Sequence, residues 1–107
     1  MEKLLTVTVD RPLGSYHPVY KDLYYPVNYG YVAHITGGDG EPQDAYILGV
    51  DTPVETFTGC LIAVVHREDD NEEKWVVAPE GFTCTPEEIM EKISFQERFF
   101  ESTVRML

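Results

Sequence analysis

Three carboxylates stand within six residues in Asp39-Gly40-Glu41-Pro42-Gln43-Asp44, just ahead of the apolar run "AYILGV". Alternate residues of an extended segment point the same way, so Asp39 and Glu41 can share a face. Gly40 permits a sharp turn there, and Pro42 stiffens the route to Asp44. Carboxylates crowded together without a cation raise one another's pKa by repulsion. A hard divalent ion, Mg²⁺ or Mn²⁺, relieves that repulsion, takes oxygen ligands and keeps waters free for a phosphate. A polar hairpin whose acids face water would show the same spacing. The residues alone leave both readings open.

A second acidic stretch, "REDDNEEKW" at 67–75, lies between two apolar runs. Beside the first loop it would complete a cluster for more than one metal ion, with Lys74 a cation aimed at a bound anion. Alone it is what a solvated hairpin tip looks like. Tyr24, Tyr25, Tyr29 and Tyr31 flank Asn28 and Gly30. Single tyrosines in such a pattern are usually packed rings, but a phenol beside a metal cluster could donate to a phosphate oxygen.

These groups need a scaffold. "LLTVTVD" (4–10), "AYILGV" (45–50), "ETFTGCLIAVVHR" (55–67) and "KWVVAP" (74–79) read as strands, with Gly59 a bulge or a close approach. "EDDNEE" (68–73) reads as a hairpin connection, and "RPLGSYHP" is too rich in breakers for a helix. The tail alone reads as helical: Thr85-Pro86-Glu87-Glu88 has capping-box spacing, and Ile89, Met90, Ile93, Gln96, Phe99 and Phe100 supply a mostly apolar stripe. Strands followed by one helix predict a mainly β, α+β fold, a small antiparallel barrel or curled sheet with a helix on one side.

At 107 residues the chain is expected to form a single domain, 1–107. Nineteen acids against eight bases, a net charge of −11, argue against nucleic acid or an anionic membrane as partner. No apolar run approaches a membrane span, and "MEKLLTVTVD" is too short and acidic for a signal peptide, so a cytoplasmic protein is expected. Cys60 and Cys84 show no C-x-x-C spacing, and the histidines show no zinc-ligand spacing. Aromatic surface to spare on so small a domain is compatible with a homo-oligomer.

"YYPVNYGYV" followed by "DGEPQDAYILG" resembles the core of the soluble (family I) inorganic pyrophosphatases, whose motifs run Y-P-x-N-Y-G-Y and then D-G-D-P-x-D before an apolar strand. "GCLIAVVHRED…EEKWVVAP" resembles that family's second acidic hairpin, so the likeness runs over roughly residues 5 to 79. The resemblance implies a five-stranded OB-like barrel with one C-terminal helix, and a Mg²⁺-dependent hydrolase splitting inorganic diphosphate into two phosphates. It gives Asp39, Asp44 and Glu72 the role of metal ligands. Glu41 stands for the carboxylate that takes a proton from the attacking water, and Tyr29 and Lys74 for phosphate contacts.

Departures from the pattern are equally plain. Glu41 and Glu72 replace aspartates. Arg67 falls where a further metal-binding aspartate is expected, unless a one-residue shift offers Glu68. Between Asp10 and Tyr24 there is no evident room for the strands carrying the family's substrate lysine and arginine. Phe99 and Phe100 stand where a tyrosine–lysine pair usually contacts phosphate. An attenuated diphosphatase is the leading expectation. A non-catalytic cation- or phosphate-binding domain and a hydrolase of another phosphoester, such as a nucleotide, are the alternatives.

Overall fold

Apolar residues recurring at every second position write most of the strands. In the computed structural model, which describes residues 4–38, 40–68 and 72–107, these runs form β1 (Leu4–Arg11), β2 (Asn28–Thr36), β3 (Pro42–Ile47), β4 (Thr56–Arg67), β5 (Glu72–Ala78) and, after the helix α1 (Pro86–Glu97), β6 (Ser102–Met106). β1 pairs with β2, β2 with β3, β3 with β5, β5 with β4, and β4 returns to β1. Five strands therefore close a barrel. All these pairs are antiparallel but one: β3 and β5 run parallel, with Ala45 beside Trp75 and Ile47 beside Val77.

β4 is long enough to serve two neighbours along one edge. Its residues 56–60 face residues 4–8 of β1, and residues 63–67 face 102–106 of β6. β6 thus covers the stretch of edge that β1 is too short to reach, sparing those N–H and C=O groups from exposure.

Two apolar layers follow from the two-residue period. Leu5, Val7, Val32, Ala45, Ile47 and Val77 pack together on one side of the sheet. Tyr46, Leu48, Ala63, Val65 and Val76 point the other way and meet Ile89 and Ile93 of α1. Residues adjacent in sequence, such as Tyr46 and Ile47, serve opposite layers. Two glycines mark where backbones press together: a Cβ on Gly30 would lie 1.9 Å from the Thr8 carbonyl oxygen, and one on Gly59 would lie 2.5 Å from that of Ala78. Gly59 is thus the close approach, and the irregularity of β4 falls instead between Leu61 and Ala63. Asn28, fully buried, ties down two loops: its Oδ1 accepts from the Leu13 and Val54 N–H groups, and its Nδ2 donates to the Thr52 carbonyl.

The helix begins where its caps place it. The Thr85 hydroxyl accepts from the Glu88 N–H at 3.1 Å, and the Glu88 carboxylate accepts from the Thr85 N–H at 2.8 Å. Thr85→Ala is expected to cost about 1 kcal/mol, seen as a lower urea midpoint at unchanged slope.

Several strand readings need correction. The apolar stripe does not carry the helix through Phe100: α1 stops at Glu97, and Phe99 and Phe100 lie in the turn that leads into β6. The tail is therefore helix plus strand. β2 runs through the tyrosine-rich motif, whose Asn and Gly resemble turn punctuation. β3 starts at Pro42 rather than 45, and β5 at Glu72 rather than 74. Within "EDDNEE", residues 69–71 lie outside the described residues, as does Asp39.

Candidate active site

The sheet face that carries the helix continues past the helix end, and there it turns from apolar to charged. On β5, Glu72 and Lys74 share a face with Val76; on β3, Asp44 shares one with Tyr46; on β4, Arg67 shares one with Val65. Parallel pairing of β3 with β5 sets Asp44 next to Lys74, and antiparallel pairing of β4 with β5 sets Arg67 opposite Glu72. Topology assembles the cluster from three strands.

Lys74 is almost fully buried, and its ammonium donates to Asp44 Oδ2 and to Glu72 Oε1, each at 2.5 Å. Burial alone would lower its pKa. The hydrogen bonds to Asp44 and Glu72 and the negative charge of Asp44 outweigh burial and hold it above the ordinary lysine value. Tyr29 packs against Tyr46 with ring centroids 4.9 Å apart, and burial raises its phenol pKa. Its hydroxyl stays protonated and can donate.

Arg67 is fixed from three directions. Nε donates to Glu97 Oε1 at 3.0 Å and Nη2 to Glu97 Oε2 at 2.7 Å. Its guanidinium carbon stands 3.8 Å from the Phe100 ring centroid, and Nη1 lies 3.6 Å from Glu72. Glu97, from the last turn of α1, also accepts from the Tyr46 hydroxyl at 2.6 Å and the Ser102 hydroxyl at 2.7 Å. Burial opposes its ionisation, but the hydrogen bonds from Arg67, Tyr46 and Ser102 prevail and depress its pKa below the usual carboxylate value. Gln96 donates to the Tyr46 oxygen at 2.7 Å, and its own Oε1 accepts from Tyr25 at 3.2 Å.

This wall faces a cleft of about 810 Å³ lined by Arg11, Lys21, Arg67, Lys74 and Arg98, with Tyr25 and Tyr29 between them and Asp10, Asp22 and Asp44 as counter-charges. Five of the chain's eight lysines and arginines converge on it. In a chain of net charge −11 such convergence points to an anion, and planar guanidinium with ammonium donors suits phosphate oxygens.

A model of the inorganic pyrophosphatase family matches residues 2–93. The chain belongs to that family. It is 33% identical over 81 residues to an inorganic pyrophosphatase of Halobacterium salinarum, covering 69% of this chain and 41% of that one. It is 29% identical over 112 residues to that of Campylobacter jejuni, covering 90% of this chain and 59% of the relative. The chain thus spans less than two thirds of either. Among solved structures, the fold is similar to inorganic pyrophosphatase from Ehrlichia chaffeensis (TM-score 0.75, 19% identity, 97% of this chain and 86% of that one). It is similar also to that from Helicobacter pylori (TM-score 0.66, 20% identity, 98% and 82%). The OB-like five-stranded barrel with one helix is the pyrophosphatase fold.

Set against the pyrophosphatase pattern, the structure brings Tyr29, Asp44, Glu72 and Lys74 together. Glu41 is exposed on the turn before β3 and is not among the residues lining the cleft. Asp39 lies outside the described residues. Arg67, not Glu68, faces the site: Glu68 is exposed, near the Thr103 hydroxyl at 3.5 Å and His66 at 4.0 Å. The N-terminal side is better equipped than the spacing suggested, since Arg11 ends β1 in the cleft wall and Lys21 reaches it from the 12–27 loop. Phe100 carries no phosphate donor but shelves Arg67, and Phe99 lies under Arg98 at 5.1 Å. Tyr25, one of the tyrosines singled out from the motif, lines the cleft, whereas Glu97, Tyr46 and Gln96 were not expected there. The one available signal was Glu97 itself, a charge at the 89–93–97 core spacing of an amphipathic helix.

Pyrophosphatases generally use a divalent metal, yet the described side chains do not make a cage for one. Asp44 and Glu72 both already hold Lys74, and Arg67 approaches Glu72. Among the described residues no three His, Cys, Asp or Glu side chains come together as metal ligands. Among the described residues, the donor set is one of cations paired with carboxylates around a cleft that suits an anion.

Proposed function

We propose that residues 1–107 act as one pyrophosphatase-like domain in the cytoplasm, binding inorganic diphosphate as its magnesium complex and hydrolysing it to two phosphates. The observation that carries this reading is the convergence of five of eight basic side chains on one cleft in a strongly acidic chain of this family. Phosphoryl transfer relies on positive charge fixed where negative charge develops. Lys74 and Arg67 supply it from the floor, Arg11 and Lys21 from the rim, and Tyr29 donates a hydrogen bond. Magnesium, or manganese in its place, would be held by Asp39, Asp44 and Glu72 and would offset the charge of the phosphate oxygens. Proton acceptance from the attacking water, the role the resemblance gives Glu41, would require that carboxylate to reach the cleft from its exposed position before β3. Turnover is expected well below that of a complete family site, since Phe99 and Phe100 cannot donate to phosphate.

A second reading, a diphosphate-binding domain without turnover, is favoured by one observation: the position matching a metal-binding aspartate holds Arg67, locked by Glu97. Phosphate release from diphosphate by purified protein, with magnesium and with chelator, separates the two. Slow, magnesium-dependent release is the expected result. Diphosphate binding with no release overturns hydrolysis and leaves the binding domain.

A further inference from the structure

The cleft is larger than diphosphate needs, and part of its lining is not made for phosphate. Its volume of about 810 Å³ lies among pockets that enclose whole drug-sized ligands, about 300–1,000 Å³. Diphosphate is only two phosphoryl groups sharing an oxygen. Arg11, Arg67 and Lys74 reach the cleft from β1, β4 and β5, while His17, Tyr20 and Phe99 reach it from segments outside those strands. Tyr20 is 68% exposed and Phe99 64%. Rings scattered singly on a surface need no explanation, but rings gathered with cations on one concave lining mark a ligand site. Phe99 also stands where the pyrophosphatase pattern has a phosphate donor, so an apolar face has taken the place of a hydroxyl. Asp22 lines the cleft too. A carboxylate there repels phosphate but accepts hydrogen bonds from sugar hydroxyls.

The segment that carries Tyr20 is built to hold it. Tyr16 and Tyr24 form a bridge, their rings 5.4 Å apart. The Tyr25 N–H donates to the Ser15 carbonyl at 2.9 Å, the His17 N–H to the Leu23 carbonyl at 3.0 Å, and the Leu23 N–H to the Tyr20 carbonyl at 2.9 Å. At the tip His17 Nδ1 accepts from the Val19 and Tyr20 N–H groups at 3.0 and 3.1 Å, and its ring centroid lies 5.0 Å from that of Tyr20. Phe99 is steadied by Arg98, whose guanidinium carbon is 5.1 Å from its ring centroid. Rings fixed in advance lose little freedom when a ligand stacks on them. We propose that the cleft binds a nucleoside diphosphate, with its phosphates among the cations, its base against Tyr20 and Phe99, and a ribose hydroxyl donating to Asp22. Stacking is tolerant of the base, since every base has a π-face. The phosphate end rests on the diphosphate reading; the base and sugar ends stand on the aromatic lining and Asp22.

Calorimetric titration with adenosine diphosphate, methyl diphosphate and inorganic diphosphate, all in one magnesium buffer, tests this. Methyl diphosphate matches the ester phosphate and charge of the nucleotide but lacks base and sugar. Adenosine diphosphate is expected to bind about tenfold or more tightly than methyl diphosphate. That ratio should fall in Tyr20→Ala and in Phe99→Ala, approach one in the double variant, and survive in Tyr20→Phe. Both side chains are largely exposed, so the variants are expected to melt as cooperatively as wild type. Equal affinity for the two esters, with inorganic diphosphate bound, overturns the inference and leaves the diphosphate reading standing. A nucleotide preference that persists in the folded double variant also overturns it. Ring-dependent nucleotide binding, with inorganic diphosphate neither bound nor hydrolysed, overturns the diphosphate reading and keeps the nucleotide site.

Discussion

Glu97→Ala is expected to remove about 3–5 kcal/mol of stability, a large part of the roughly 5–15 kcal/mol that holds a domain of this kind folded. Four donors from three residues converge on that carboxylate: Arg67 through Nε and Nη2, the Tyr46 hydroxyl and the Ser102 hydroxyl. The Arg67–Glu97 pair need not outdo an apolar pair of equal volume. Truncating one partner is costly for a different reason: it leaves a guanidinium, 6% exposed, with its main counter-charge gone. Urea unfolding should show the loss as a lower midpoint at similar slope. Glu91→Ala, at an exposed position of the same helix, should stay within about 0.5 kcal/mol.

The pH dependence has a definite sign. The folded Glu97 pKa is depressed, so its contribution is fully present above the unfolded carboxylate value of about 4.3 and is lost as pH falls through the lower folded value. Glu97→Gln should abolish that part of the acid limb and still lose stability, because an amide N–H₂ would face the Arg67 donors. A Glu97→Ala protein as stable as wild type at pH 7 would show that the pair contributes little.

The second large effect is on turnover. Lys74→Ala is expected to lower diphosphate hydrolysis by about 10²–10³-fold, the usual cost of deleting one preorganised donor from a charge-stabilising site. The loss should fall mostly on kcat, since phosphoryl transfer asks more of the cation in the transition state than in the bound substrate. Lys74→Arg should rescue poorly: a planar fork cannot take the place of a compact ammonium between Asp44 and Glu72. Lys92→Ala, exposed on α1, is the control and should leave the rate unchanged. Turnover that survives Lys74→Ala in a protein that still melts cooperatively would place the chemistry outside this cleft.

What the sequence determined is mostly what lies within a few residues of itself. The helix start was legible because a capping box closes over four positions, Thr85 to Glu88. β4 was legible because twelve residues of β-branched and apolar character need no partner to announce themselves. The motif around Asn28, Tyr29 and Gly30 named the family, and with it the expected site residues Tyr29, Asp39, Glu41, Asp44, Glu72 and Lys74, of which Tyr29, Asp44, Glu72 and Lys74 come together in the structure. β2 stayed hidden in that same motif because its Asn and Gly look like turn residues; only the approach of Thr8 to Gly30, and the loops tied to Asn28, show why they are there. β6 stayed hidden because its five residues become a strand by completing the edge of β4, a condition set some forty residues upstream. The site was decided in the same nonlocal way. Parallel pairing of β3 with β5 puts Lys74 between Asp44 and Glu72, and the end of α1 brings Glu97 onto Arg67, thirty residues away in the chain. A run of acids reads from sequence as a place for metal. Which charges meet there depends on which strands lie side by side, because Asp44, Arg67 and Lys74 come from β3, β4 and β5 and meet only when the barrel closes.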